Sequence, residues 1–151
     1  MRHINIYPPP KSFIMRKLLV ITAILLSTGI AFGQTLQKGS MLGLHHASVT
    51  LNAGVSMEDF VDFAVNKLLP AAEKSFPGLK LYVIKGDRGE KANEIGFLWV
   101  FDSVKDRDVY FTSEGQLTDK GLAAQEKLQP LMEEGAKLGS YTTTHTDWII
   151  Q

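Results

Sequence analysis

The feature that most restricts the fold of this chain is a pair of β-type segments separated by a polar loop. The second segment, Ile95–Phe101 (IGFLWVF), is apolar on both faces of the expected strand, which is typical of a strand inside a sheet. The first segment is Leu79–Ile84, and the loop between them contains two glycines, Gly86 and Gly89. Two such strands joined by a short glycine-containing loop predict an antiparallel hairpin with a central strand.

A helical segment precedes this hairpin. Ser56 and Asp59 have the spacing of a capping box, and the apolar residues that follow up to Leu68 recur at helical spacing. Pro70 lies inside this pattern, where a missing N–H group and a bulky ring disturb helical hydrogen bonding. We therefore expect a helix that is kinked near Pro70.

A second helical region follows the hairpin. Ser103 is the expected cap of a short helical turn, and Thr118 is the expected N-cap of a long second helix. Gly139 is placed where a helix commonly ends. The region thus predicts one short and one long helix before the end of the chain.

Two further strands complete the pattern. His45–Leu51 alternates and is rich in β-branched residues, and Tyr141–Ile150 (YTTTHTDWII) is the expected last strand. The motif K-L-x-P-x-x-E occurs in both helical regions, at Lys67–Glu73 and Lys127–Glu133, sixty positions apart. The order β-α-β-β-α-β with a repeated helix predicts an α+β fold of two related halves. Its antiparallel sheet has strand order 4-1-3-2, and its helices cover one face.

Several local patterns resemble one known group of proteins, the dimeric α/β-barrel superfamily, whose subunits have a ferredoxin-like fold. Besides the element order, they are Leu68–Pro70, Pro77–Lys80, and the pair Phe101–Ser103 and Asp108–Phe111. The likeness covers residues 44–150. The superfamily includes antibiotic-biosynthesis-type monooxygenases and stress-responsive barrel proteins.

That resemblance implies several properties without choosing one activity. Two subunits would pack their open sheet faces together as a homodimer and form a barrel. A cavity between sheet and helices, or inside the barrel, would bind a small organic ligand or haem. Members of the superfamily include cofactor-free oxygenases, haem-degrading enzymes, isomerases, haem peroxidases and proteins with no known chemistry, so the resemblance leaves open whether this chain is an enzyme.

The N-terminal part of the chain has the pattern of a secretory signal. Within residues 15–33, a basic pair (Arg16 and Lys17) precedes an apolar stretch too short to span a membrane, and Ala31–Gly33 resembles a cleavage site. We expect residues 1–14 to be a non-native extension. The sequence predicts export from a bacterium to the periplasm or the medium, with no membrane anchor after cleavage. It also predicts a flexible lead-in over residues 34–43 and one domain over residues 44–151.

Composition excludes several classes of function for this domain. The chain has no cysteine, which rules out disulfides, thiol nucleophiles and cysteine-ligated metal clusters. After residue 33 it carries all 16 acidic residues but 12 of the 16 basic ones, a formal charge of −4. An acidic domain without a basic run is not expected to bind nucleic acid.

The domain contains three histidines, of which His46 and His145 are the candidate catalytic residues. His45 and His46 must point to opposite faces of the first strand, and the apolar residues that share the parity of His45 place His46 on the open face. If the polar faces of the first and last strands coincide, His46, His145 and Asp147 meet there. This trio would hold a divalent metal, or a histidine would act as a base. The alternative is that the histidines are solvated or lie in a dimer interface.

Aromatic residues define the second candidate site. Phe97, Trp99 and Phe101 share one parity of the central strand, and Tyr82 lies on its neighbour. With the open-face residues Ser48 and Thr50 they would line a ligand cavity, since such cavities are mostly apolar. The same aromatic residues, with Ile95, are also expected to form the core of a homodimer on the open sheet face.

Two functions follow from these residues. The first is an exported small-molecule-binding barrel that resembles a cofactor-free oxygenase or isomerase, with haem or a divalent metal as the alternatives to cofactor-free chemistry. The second is a non-enzymatic exported dimer, such as a stress or envelope protein, whose aromatic residues serve only as interface.

Overall fold

The computed structural model describes residues 36–151, and the predicted extension and signal peptide lie outside this part of the chain. Its sheet has four strands: β1 (Met41–Leu51), β2 (Lys80–Lys85), β3 (Ile95–Phe101) and β4 (Gly139–Ile149). The strand order is β2-β3-β1-β4, and each neighbouring pair is antiparallel. Read from the β4 edge, this is the predicted order 4-1-3-2, so the predicted ferredoxin-like α+β fold is confirmed.

The helices lie in the two connections that the sequence indicated. Between β1 and β2 the chain forms α1 (Met57–Phe63), a π-helical turn (Ala64–Leu68) and α2 (Leu69–Ser75). Between β3 and β4 it forms α3 (Val104–Asp108), α4 (Asp119–Glu126) and α5 (Gln129–Ala136). Within residues 36–151, no helix has the length and apolar character needed to cross a lipid bilayer.

The first helical region begins and bends for the predicted reasons. The hydroxyl of Ser56 accepts a hydrogen bond from the Asp59 backbone N–H, and the Asp59 carboxylate accepts one from the Ser56 N–H, at 3.1 and 2.9 Å. Ahead of Pro70 the helix widens into the π turn, in which the N–H of Leu69 donates to the carbonyl of Ala64. The wider turn adapts the backbone to a proline, which has no N–H to donate.

The second helical region differs from the predicted single long helix. It is divided into α4 and α5, and Pro130 lies in the first turn of α5 as Pro70 lies in the first turn of α2. The repeated K-L-x-P-x-x-E motif therefore marks the point where each helical region starts a new segment. Gly139 does not close a helix but begins β4, where a Cβ would approach the Thr50 carbonyl oxygen to 2.4 Å.

The strand register decides which side chains lie under the helices. His45 of β1 is paired with Phe97 of β3 and with His145 of β4, and Leu81 of β2 is paired with Trp99. Paired residues point to the same side of a sheet, so odd-numbered side chains of all four strands share one face. That face packs against the helices in two apolar clusters. One contains Met41 and Phe101 of the sheet with Phe76, Leu79, Tyr110 and Leu128, and the other contains Ala47 and Phe97 with Phe60, Ala64 and Leu69.

The predicted position of the aromatic residues is therefore wrong. Phe97 and Phe101 are buried beneath the helices, and Trp99 packs against both apolar clusters. Ile95 has the same parity, so none of these four residues lies on the open face as expected. β3 is apolar at both parities, so its own sequence gave no basis for choosing a face. The even-numbered residues on the open face include Leu42, Leu44, Leu98, Tyr82 and Trp148, together with the predicted His46, Ser48 and Thr50.

Candidate ligand-binding site

The structure separates the two histidines that were predicted to act together. The register of β1 with β4 is continuous over eleven pairs and aligns His45, not His46, with His145. Because side chains alternate along a strand, His46 points to the open face and His145 to the helix face. The predicted catalytic pair and the predicted metal site of His46, His145 and Asp147 are therefore wrong. Within residues 36–151, no three histidine or acidic residues are arranged to hold a metal ion.

The site that the structure does form lies on the helix face, at the end of the sheet where β1 begins and β4 ends. A cavity of about 230 Å³ opens there between the sheet and the chain segment that joins α3 to α4. Its sheet wall includes Gly43, His45, Trp99, His145 and Asp147, and its outer wall includes Arg107 and Phe111. Of the residues predicted for a site, Trp99, Phe101, His145 and Asp147 line this cavity, whereas Phe97 lines a different one.

Three rings from three adjacent strands form a stack along the sheet wall. The ring centroids of Trp99 and His45 are 4.5 Å apart, and those of His45 and His145 are 4.9 Å apart. The interplanar angles are 23° and 14°, so the rings are nearly parallel. The stack follows from the register, which places His45 between its partners on β3 and β4. It holds the imidazole of His45 in one orientation beside the cavity.

The position of His45 changes its acid–base chemistry. The pKa of His45 is lowered from 6.5 to about 4, mainly by burial and also by the nearby His145, while the Asp147 carboxylate opposes both effects. Neither ring nitrogen of His45 has a hydrogen-bond partner within residues 36–151. At neutral pH the imidazole is uncharged and can both donate and accept a hydrogen bond.

An arginine fixes the carboxylate beside this histidine. Ser103 caps α3 by accepting a hydrogen bond from the Asp106 N–H at 3.2 Å, and α3 positions Arg107 over β4. Arg107 donates from Nη1 to Asp147 Oδ2 at 2.7 Å and from Nε and Nη2 to Asp108 Oδ1 at 2.8 and 2.6 Å. Burial opposes the charge of Arg107, but these hydrogen bonds more than offset it and raise its pKa. Arg107 thus fixes the position of the Asp147 side chain through one of its two oxygens.

Gly43 leaves open the space between the histidine and the aspartate. A Cβ at this position would lie 3.2 Å from His45 Nε2, 3.2 Å from Asp147 Oδ1 and 3.5 Å from Trp99 Cβ. The two polar atoms therefore flank one point of β1, and the lack of a side chain there exposes both to the cavity. The hydrogen bond from Arg107 goes to the other oxygen of Asp147, Oδ2.

A tight turn forms the polar rim of the cavity. Phe111 and Leu117 form a β-bridge, and within it the Thr112 N–H donates to the Gln116 carbonyl at 2.7 Å. Thr112, Ser113 and Glu114 of this turn line the cavity. The hydroxyl of Ser113 donates to Glu114 at 2.6 Å, which lowers the pKa of that carboxyl group. The rim adds hydroxyl and carboxylate groups to the outer wall, beside the guanidinium group of Arg107 and the apolar ring of Phe111.

Sequence reasoning missed His45, Gly43, Arg107 and the rim. The parity argument for β1 was right, since Ala47 does lie under the helices, but the candidate site was placed on the other face, with His46. Gly43 shares that parity, and a small residue two positions before a histidine was the available signal. Arg107 and the rim carried no signal, because only the tertiary fold brings α3 to β4. The predicted ligand-binding residues Tyr82, Ser48 and Thr50 lie on the opposite face of the sheet.

Comparison with known proteins yields distant structural similarities alone. No family profile and no curated protein matches the chain. Two NIPSNAP family proteins from Agrobacterium tumefaciens str. C58 are similar in structure. One is 14% identical, with a TM-score of 0.45 over 72% of this chain and 91% of the other, and the second is 12% identical, with a TM-score of 0.46 over 76% and 94%. A dimeric protein of unknown function and ferredoxin-like fold from Bacteroides fragilis NCTC 9343 is 17% identical, with a TM-score of 0.39 over 77% of this chain and 100% of the other.

Proposed function

We propose that this protein binds a small organic molecule in the cavity beside His45, through a hydroxyl group that donates a hydrogen bond to His45 or an amine group that donates to both His45 and Asp147. The observation that carries the proposal is the opening at Gly43, where two polar atoms flank a position that a side chain would otherwise fill. Buried polar atoms are normally hydrogen-bonded, and His45 has no partner of its own within residues 36–151. A ligand hydroxyl or amine supplies the missing donor.

The cavity also restricts the size and shape of the ligand. A volume of about 230 Å³ is below the range of about 300–1,000 Å³ that is typical for drug-sized ligands. Trp99, Phe101 and Phe111 supply apolar walls, and polar groups are contributed by the sheet at His45 and Asp147 and by the rim. A single ring or short chain that carries a hydroxyl or amine group fits this arrangement.

The acid–base properties of the site favour binding over proton abstraction. A base with a pKa of about 4 stays unprotonated at neutral pH, but it gives little driving force for removing a proton from a weakly acidic substrate. Catalysis of the oxygenase or isomerase type would therefore need a substrate with an unusually acidic O–H or C–H group. His45 would accept that proton, and Asp147 would stabilise the imidazolium ion.

A matched pair of probes and a matched pair of variants test this proposal. Phenol carries a hydroxyl donor, and anisole has the same ring without it. We expect the wild-type protein to bind phenol about three- to tenfold more tightly than anisole in calorimetric titrations, the effect of one hydrogen bond. His45→Phe should remove this preference while keeping a ring on Trp99, and His46→Phe, on the opposite face, should keep it. Equal affinities for the two probes, or a preference that survives His45→Phe, would refute the proposal.

The open sheet face supports a homodimer as the second part of the proposal. Tyr82 is 48% exposed and Trp148 is 59% exposed there, beside Leu44 and Leu98. Apolar surface of this kind is commonly covered by another protein surface, and a second copy brings a matching face. We expect Trp148→Asp to convert a dimer into a monomer in light scattering, whereas Thr144→Asp on the same strand and face should weaken it less. A wild-type monomer at micromolar concentration would contradict this part.

We also propose that the protein is exported, on the basis of the signal pattern in residues 15–33. The secreted protein is expected to begin at Gln34. N-terminal sequencing or intact mass measurement of protein from the culture medium or periplasm tests this, and retention of residues 15–33 in that protein would contradict it.

A further inference from the structure

A second cavity lies on the same face of the sheet, near the start of β4. Its volume is about 390 Å³, and it is lined by residues of α1, the π-helical turn, α5, β3 and the start of β4. It shares no lining residue with the cavity beside His45. The two cavities are therefore separate sites that can be altered independently.

Small residues and the π turn create this space. Ala64 and Leu68 of the π turn line the cavity on one side, and Gly135 and Ala136 of α5 line it on another. A Cβ on Gly135 would lie 2.9 Å from the ring of Phe63, so this glycine makes room for the ring at the cavity wall. The interrupted helix and the small residues of α5 leave a gap between the two helical regions above the sheet.

The wall of the cavity is apolar except at one place. None of its twelve lining residues is charged, and Phe60, Phe63 and Phe97 supply aromatic surface. The polar side chains are those of Ser140 and Tyr141. A charged ligand would lose its hydration without a compensating partner, so this wall selects an uncharged molecule.

Tyr141 is the residue that gives this site a polar end. Its ring packs against Phe60 and Phe97, with centroid distances of 6.1 and 5.8 Å, while 47% of the residue is exposed because β4 is an edge strand. Burial of the packed part of the side chain raises the pKa of the Tyr141 hydroxyl group. The hydroxyl group has no hydrogen-bond partner within residues 36–151, so it is free to pair with a ligand.

We propose that this second cavity binds an uncharged, largely hydrocarbon molecule that carries one hydroxyl group, with its chain among the phenylalanines and its hydroxyl group on Tyr141. The volume is more than twice the roughly 150 Å³ that an apolar cavity needs to hold one benzene ring. A medium-chain alcohol has the required size and chemistry. This inference does not depend on a ligand at His45.

The test uses 1-octanol as the probe and the protein that begins at Gln34. Methyl NMR spectra should show shifts at Leu68, Leu131 and Met132 during the titration, and the affinity is obtained from the same data. Ala136→Leu places a larger side chain at the cavity wall, and Ala123→Leu makes the same change at an exposed position of α4 that lines neither cavity. We expect at least a tenfold loss of octanol affinity in the first variant and no change in the second.

Two further variants define the role of the polar end and the independence of the site. Tyr141→Phe should weaken octanol binding about three- to tenfold while the shifted methyl groups stay the same. His45→Phe should leave octanol binding unchanged even though it removes the phenol preference of the first cavity. The inference is overturned if octanol does not shift these methyl groups, if Ala136→Leu binds octanol as the wild type does, or if His45→Phe abolishes the binding.

Discussion

The lowered pKa of His45 makes the stability of this protein depend on pH in a way that one substitution can isolate. The pKa is about 4 in the folded protein and 6.5 for an unperturbed histidine, so the unfolded chain binds this proton first as the pH falls. The unfolded state is then stabilised relative to the folded state. The free energy of unfolding therefore has its full value, as far as His45 is concerned, above pH 6.5. It falls progressively as the pH decreases from 6.5 towards 4.

The magnitude follows from the difference between the two pKa values. At about 1.36 kcal/mol per pKa unit, the full difference corresponds to at most about 3.4 kcal/mol, reached below pH 4. The ring is only partly buried, and solvent screening reduces this value. We expect the free energy of unfolding to fall by about 1–2 kcal/mol more in the wild type than in His45→Gln between pH 7.5 and pH 4.5.

Urea unfolding followed by circular dichroism at one protein concentration measures this difference. His46→Gln is the matched control, since it removes a histidine from the opposite face of the same strand, and it should lose stability as the wild type does. The titration of the imidazole C–H signals by NMR provides a second reading of the His45 pKa. The reasoning is refuted if His45→Gln loses as much stability as the wild type, or if His45 titrates near 6.5.

Three further substitutions test individual contacts. Gly43→Ala places a methyl group 3.2 Å from both His45 Nε2 and Asp147 Oδ1, so we expect at least a tenfold loss of phenol affinity by calorimetry. Its stability in urea should change by less than about 1 kcal/mol, because a less flexible unfolded chain offsets the crowding; unchanged affinity would contradict the proposed site. Ser56→Ala removes the capping box of α1 and should cost about 1 kcal/mol in urea unfolding, and no loss would show that the cap does not stabilise the helix. Phe101→Leu alters a side chain that is 0% exposed and should lower the free energy of unfolding by about 1–3 kcal/mol. Thermal or urea unfolding measures this loss, and Phe111→Leu, at a partly buried position, is the control for comparison.

Much of the fold was predictable because it depends on local patterns. The capping box at Ser56 and the caps at Ser103 and Thr118 satisfy backbone groups within a few residues of themselves, so their sequence spacing is sufficient. The strand Ile95–Phe101 was predicted with its observed bounds, since an apolar run between polar segments has few alternatives. β1 begins at Met41, four residues before the predicted start, because pairing with the end of β4 extends it beyond its alternating segment.

The sequence by itself determined the order of the strands and helical regions and the parity of β1, because hydrophobic periodicity and capping act within one segment. Only the tertiary structure decided which faces meet. The pairing of His45 with His145 joins residues one hundred positions apart in the sequence, and a shift of one residue in the register of these strands would have placed the two histidines on opposite faces. The contact between Arg107 and Asp147 likewise depends on where α3 lies over the edge of the sheet. The candidate site is built from such long-range contacts, which no local pattern encodes.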